Sequence, residues 1–257
     1  MCLLVLAWKT HPDYPLIFAG NRDELHARPS AAAGFWPHSP RVLAGRDLQA
    51  GGTWLGLTTD GRFAVVTNYR AGLNPEKAER SRGELAADFL QTRIPAHVYL
   101  REVAKRANKF GAFSLIVGDR GALWYLSNRG ESEPQQVTPG IHGLSNHLLD
   151  TPWPKVTRSM AALNRLLERQ NLNDTALFAL LADRGTAADE LLPDTGIGTE
   201  RERQVAPVFV ANPVYGTRCS SLILLHADGQ ARFAERRFAA DGGALETRIF
   251  HHSVCTR

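Results

Sequence analysis

The chain has 257 residues, 44% of them hydrophobic, 22% charged and 8% aromatic, a balance that excludes a disordered or fibrous protein and suffices for one large or two small globular cores. Thirty Lys and Arg against 26 Asp and Glu leave a formal charge of +4, and the basic residues are scattered, so no nucleic-acid footprint is expected. No run of 18 apolar residues exists, which excludes an integral membrane helix.

The chain opens with the apolar run from Cys2 to Trp8, which lacks a positive segment before it and is followed by Lys9 and His11 instead of a cleavage site. It reads as a strand and not as a signal peptide. Leu16 to Ala19 is a second apolar strand, reached through His11-Pro12-Asp13-Tyr14-Pro15. Thr53–Thr58 and Phe63–Thr67, joined through Asp60-Gly61, predict a hairpin. The polar stretch Tyr69–Gly83 interrupts the pattern. Leu85, Ala86, Phe89 and Leu90, then Val98, Val103, Ala104 and Ala107, recur at helical spacing and predict two amphipathic helices.

Strand chemistry returns at Phe113–Val117 and Leu123–Leu126, with a third short strand approaching Gly143. Val156–Gln170 and Thr175–Ala182 predict two more helices, whose leucines are core. Asp183–Val205 has the composition of a long surface loop. Ser220–His226 and Gln230–Phe238 flank Asp228-Gly229 as a hairpin, and Thr247–Phe250 is the last strand. Hairpin connections with strands apolar on consecutive residues imply an α+β fold, a single domain over 1–257, layered as a four-layer α-β-β-α sandwich of two mainly antiparallel sheets.

Three cysteines, at 2, 219 and 255, make no C-x-x-C pair and point to a reducing, cytoplasmic setting. His251-His252 diverge on a strand and lack a third ligand at useful spacing, so neither a metal nor another cofactor is expected. Cys2 is the candidate nucleophile. Trimming of an initiator Met before a small residue leaves a thiol and a free α-amine on one residue, the amine serving as base. If the first two strands pair, Gly20-Asn21-Arg22-Asp23-Glu24 returns to that neighbourhood, where Asp23 or Glu24 holds the ammonium and Arg22 favours the thiolate.

The segment Asn21-Arg22-Asp23-Glu24 after a Met-Cys start resembles the signature of the NRDE family, also called the transport and Golgi organisation protein 2 family. The resemblance extends through Gly51-Gly52-Thr53-Trp54-Leu55-Gly56, Val66-Thr67-Asn68-Tyr69-Arg70, Gly143-Leu144-Ser145-Asn146 and Gly216-Thr217-Arg218. More remotely the arrangement is similar to N-terminal-nucleophile hydrolases of the choloylglycine hydrolase and penicillin V acylase type. That resemblance implies Cys2 as nucleophile, Asp23 as the group orienting the α-amine, and Asn68 as donor to the oxyanion. It further implies Asn146 at the tetrahedral intermediate or the amine, and Arg218 in the charge network. Asn21, Arg22, Glu24, Tyr69 and Arg70 complete the expected substrate-binding set. One departure stands out: those acylases carry an Arg three residues before the Asp, where this chain has Gly20, and here Arg22 directly precedes Asp23. Adjacent strand residues face opposite ways, so Arg22 and Asp23 are expected on different faces.

Two functions follow. The first is cleavage of an amide or thioester of a small-molecule acyl substrate through an acyl-enzyme, with Arg22, Arg70 and Arg218 suiting a carboxylate or phosphate. The second, implied by the NRDE resemblance, is a non-catalytic role in haem or lipid trafficking, with a Cys thiolate or one of His26, His142 and His147 as an axial haem ligand.

Overall fold

The computed structural model describes residues 3–73 and 78–254. Two antiparallel sheets stack face to face. The first has the strand order β10-β1-β2-β11-β12-β13. Its members are β1 (Leu3–Trp8), β2 (Leu16–Leu25), β10 (Gly140–Leu144), β11 (Tyr215–Leu225), β12 (Gln230–Phe238) and β13 (Ala244–Ser253). The second runs β3 to β9 in sequence order: β3 (Ser30–Trp36), β4 (Ser39–Asp47), β5 (Leu55–Thr58), β6 (Phe63–Asn68), β7 (Phe113–Gly118), β8 (Leu123–Ser127) and β9 (Gln135–Gln136).

Alternation along β1 explains its unbroken apolar run. Leu4, Leu6 and Trp8 point between the sheets, where they meet Phe18, Phe63 and Ile116. Val5 and Ala7 point outward beneath α3 (Pro154–Glu168) and α4 (Asp174–Leu181). On the far side α1 (Arg82–Gln91) and α2 (Ala96–Lys105) cover the second sheet through Leu85, Phe89, Leu100 and Val103. Strands covered on both faces read as continuous hydrophobic runs, and the α-β-β-α layering inferred from them holds.

Several elements differ from the sequence reading. β2 does not stop at Ala19 but carries Asn21, Arg22, Asp23 and Glu24 as far as Leu25. The hairpin β3–β4 has no clear sequence signal because its strands are rich in small residues and irregularly paired, with register shifts after Ala31 and Phe35. One buried backbone donor there, Ala33 N–H, is satisfied across the sandwich by Glu235 Oε1 at 2.8 Å. Val98 lies on the outside of α2, and Tyr99 and Leu100 take the buried face in its place. The stretch of loop-like composition between 183 and 205 contains α5 (Thr199–Val205).

The paired glycines before Thr53 serve close packing. Gly52, at φ 75°, passes so near the start of α1 that a Cβ would lie 2.5 Å from the Gly83 backbone. The approach lets Thr53 N–H donate to Gly83 O at 3.1 Å.

His142 on β10 gives a pH-dependent contribution to stability. Its Nδ1 faces Asp150 Oδ2 at 2.7 Å and its Nε2 faces Thr138 O at 2.9 Å, two acceptors that favour the doubly protonated ring. The Asp150 hydrogen bond raises the His142 pKa, burial opposes it, and the Thr138 carbonyl adds to the rise. A raised folded pKa stabilises fully below the unfolded value near 6.5 and is lost as pH climbs through the folded value. Between about pH 6 and pH 9 the wild type is expected to lose more stability in urea titrations than His142→Gln; equal losses would refute the assignment.

Candidate active site

The register of the first two strands sets the site. Leu3 pairs with Asn21, so the chain enters the fold beside the polar end of β2. Cys2, the expected nucleophile, lies outside the described residues. The polar side chains of β2 each meet at least one partner, Arg22 through Trp54 and Glu24 while its Nη1 is without a hydrogen bond, which is why the strand continues through them. Asn21 is fully buried on the face beneath α4; its Nδ2 donates to Leu181 O at 2.8 Å and Val208 O at 2.9 Å, and its Oδ1 accepts from Ser220 Oγ at 2.6 Å. The substrate-binding part expected of Asn21 does not fit these surroundings: its amide clamps β2 to the helix layer and to β11.

Arg22 turns to the opposite face, between the sheets, where its guanidinium lies 4.4 Å from the ring centre of Trp54 and 3.8 Å from Glu24 Oε2. Asp23 Oδ1 accepts from Thr217 Oγ1 at 2.7 Å, and that hydroxyl accepts in turn from Val210 N–H at 2.9 Å. Glu24 also sits 3.8 Å from Arg28, whose main partner is Asp47 at 2.7 Å.

Asn68 ends β6 and faces the same opening. Asn146, just past β10 with a left-handed φ of 53°, donates through Nδ2 to Asn68 Oδ1 at 2.8 Å and to Asn68 O at 3.2 Å. An amide whose oxygen accepts in this way turns its NH2 elsewhere. Asn146 thus orients Asn68. Arg70 holds Asn146 in turn, donating backbone N–H to Asn146 O at 2.8 Å and Nη2 to Asn146 Oδ1 at 3.0 Å. Its Nη1 meets Glu202 Oε2 at 2.6 Å. Glu202, 2% exposed on α5, accepts from Thr195 N–H and Oγ1 through its other oxygen.

Tyr69 belongs to a second fastening beside the first. Thr151 Oγ1 donates to Leu148 O, so it accepts from His147 Nδ1–H at 2.8 Å, and His147 Nε2 accepts the Tyr69 hydroxyl at 2.6 Å. This neutral tautomer agrees with the direction in which burial moves the His147 pKa, downward. Arg218 is committed to backbone carbonyls: its Nη1 donates to those of Leu25, His26 and Arg28 and closes the turn after β2. Cys219 is buried, and desolvation together with the Glu235 carboxylate pushes its thiol well up, so it is no nucleophile.

The structure therefore brings Arg22, Asp23, Glu24 and Asn68 around one cavity of about 250 Å3, which Trp54 and Thr67 also line. Asn68 additionally borders two larger clefts. One, of about 610 Å3, runs past Asn146 and Val210; the other, of about 630 Å3, runs past Tyr69, Arg80 and Arg82. Glu202 carries no signal in the sequence alone, and Trp54 and Thr217, though they stand in motifs that carry the resemblance, are not marked there as site residues, because each acts through a partner more than 30 residues away. Among the described residues no three His, Cys, Asp or Glu side chains converge as a metal site, and no helix is long and apolar enough to cross a membrane.

Two face-to-face antiparallel sheets between helix layers are the architecture of the N-terminal-nucleophile hydrolases. The chain is similar over 87% of its length to a Caenorhabditis elegans N-acylethanolamine-hydrolyzing acid amidase ortholog, with TM-score 0.51, 9% identity and 92% of that chain covered. It is similar over its whole length to a variant of the conjugated bile acid hydrolase from Clostridium perfringens, with TM-score 0.50, 8% identity and 99% of that chain covered. These likenesses establish the fold. The sequence itself belongs to the Transport and Golgi organisation 2 family, whose pattern matches residues 1–240. It is 36% identical to the Transport and Golgi organization protein 2 homolog of Homo sapiens, covering 99% of each chain, and 24% identical to the Transport and Golgi organization protein 2 of Drosophila melanogaster, covering 91% of each.

Proposed function

We propose that this chain is an N-terminal cysteine hydrolase that cleaves an amide or thioester of a small acyl substrate. After removal of Met1, the Cys2 α-amine takes the thiol proton and Sγ attacks the substrate carbonyl carbon. The oxyanion receives an N–H from Asn68, a donor worth about 2.7 to 4 kcal/mol in such positions. The ammonium, oriented by Asp23, protonates the departing nitrogen or sulfur, and water then releases the acyl group from Sγ.

One observation carries the reading. Asp23 and Asn68, the latter held by Asn146, line a single cavity, and Leu3, to which Cys2 is bonded, pairs with Asn21 two residues before Asp23. Of the haem ligands expected for the alternative, His142 and His147 have both ring nitrogens already hydrogen-bonded, and His26 has Nε2 against Asn212 O at 2.9 Å.

The test uses the purified full chain with a panel of acyl p-nitroanilides and thioesters. Intact mass is expected to show loss of Met1, and an accepted substrate is expected to release a burst near one equivalent of leaving group per chain. Retention of Met1 in the folded protein leaves no free amine on Cys2 and refutes the mechanism.

A further inference from the structure

The first sheet ends at β13, an edge strand of ten residues without proline, lysine or glycine, and among the described residues no strand pairs with its far side. Leu245 on it is 64% exposed and Ile249 47%. An open edge of this length presents unpaired N–H and C=O groups to other chains. Which residues present them follows from alternation along β12. His226 N–H donates to Gln230 O and Val254 N–H to Gly229 O, so the even-numbered residues of β12 bond β11 and the odd-numbered ones bond β13. Thr247 and Ile249 stand opposite Arg236 and Ala234, both even, and therefore turn their N–H and C=O to the open side. A register shift between Arg236 and Phe238 gives β13 one extra residue between Ala244 and Thr247, beside this pair and not within it.

The order of side chains says what fits there. Residues 244–250, Ala-Leu-Glu-Thr-Arg-Ile-Phe, form a palindrome of chemical kind about Thr247. A second strand of the same sequence, antiparallel about a twofold axis at Thr247, sets Glu246 opposite Arg248, Leu245 opposite Ile249 and Ala244 opposite Phe250, each combination twice. Opposite charges and apolar pairs directly across an antiparallel ladder stabilise it, and like charges there oppose it. Moving the axis to Glu246 or to Arg248 would place like charges face to face. Within one chain Arg248 Nε donates to Glu246 Oε2 at 3.0 Å, and Arg237 Nη1 lies 3.3 Å from Glu246 Oε1. The axis lays a second Glu–Arg pair against the first with charges alternating. Arg236 and Arg237 belong to β12, one strand further from the axis.

We propose that β13 binds a second copy of this chain, β13 against β13 about a twofold axis at Thr247, which makes the first sheets of the two copies continuous. The Thr247 pair exchanges two N–H···O bonds at the centre, flanked by the Glu246–Arg248 and Leu245–Ile249 pairs on both sides. The proposal is independent of the hydrolase reading, since no residue of the catalytic cavity lies on β13.

Sedimentation equilibrium of the full chain at micromolar concentrations is expected to give twice the mass of one chain. Arg248→Glu and Glu246→Arg each set like charges across the axis and are each expected to raise the dimer dissociation constant at least about tenfold. Mixed in equal amounts, the two variants again bring opposite charges together and are expected to recover the dimer. Ile249→Asp is expected to dissociate it as well, and carries the test if either charge reversal does not fold. Melting followed by circular dichroism is the control: these are surface positions, so each midpoint is expected to stay near that of the wild type. A wild type that remains monomeric, single reversals that leave the dissociation constant unchanged, or an equimolar mixture that remains monomeric overturns the proposal.

Discussion

Replacing Cys2 by alanine is expected to lower kcat by at least about a thousandfold on any accepted acyl substrate while leaving the thermal midpoint within a degree or two. The asymmetry follows from what is removed. Nucleophile and base are the same residue, so the variant loses the attacking sulfur, whereas the loss of one thiol takes little from a core built on Leu4, Leu6 and Trp8. Cys219→Ala is the control, because burial beside Glu235 keeps that thiol protonated and unreactive. Measured by steady-state kinetics and calorimetric melting, turnover that survives Cys2→Ala, or that disappears with Cys219→Ala at unchanged stability, would sink the assignment.

The second large effect is expected at Glu202, far from the nucleophile in sequence. Glu202→Ala leaves Arg70, mostly buried, without its carboxylate, and an uncompensated buried charge costs about 3–5 kcal/mol. The loss also reaches the site, because Arg70 fixes Asn146 and Asn146 fixes Asn68. Urea titration is expected to show the destabilisation, and kcat to fall more than KM rises in conditions where the variant remains folded. Glu202→Gln keeps an acceptor for Arg70 and is expected to recover part of both. A variant that melts early with unchanged kcat would break the link from Glu202 to Asn68.

Much of the layering is legible in the sequence because alternating side chains in a doubly covered strand leave an unbroken apolar run, as in Leu3–Trp8, and because Leu85 to Leu90 repeats with the helical period. The rest depends on distant partners. Asn21 to Glu24 looks like a place for a strand to stop, and it continues only because Leu181, Val208, Ser220, Thr217 and Trp54 satisfy it from other elements. Asp23 and Asn68 can be picked out by resemblance, and the structure brings them to one cavity. Arg70, expected to touch substrate, is occupied with Asn146 and Glu202, and Arg218 with a turn; neither commitment has a local sequence mark. α5 escapes a pattern search because, of Thr199–Val205, only Glu202 is fully buried, and its burial serves an ion pair, not an apolar stripe.

The left-handed backbone at Asn146 weights the choice of residue at that position. Most L residues disfavour it by roughly 1–2 kcal/mol, a cost that Lys9 and Gln170 bear elsewhere in this chain and that glycine, asparagine and aspartate bear most easily. Glycine carries no amide, and aspartate would present an acceptor to the acceptor oxygen of Asn68. Backbone geometry and hydrogen-bond polarity thus filter the same residue independently, which makes an asparagine after a short strand of this kind a diagnostic character for sorting distant chains of the fold into those that can orient the donor and those that cannot.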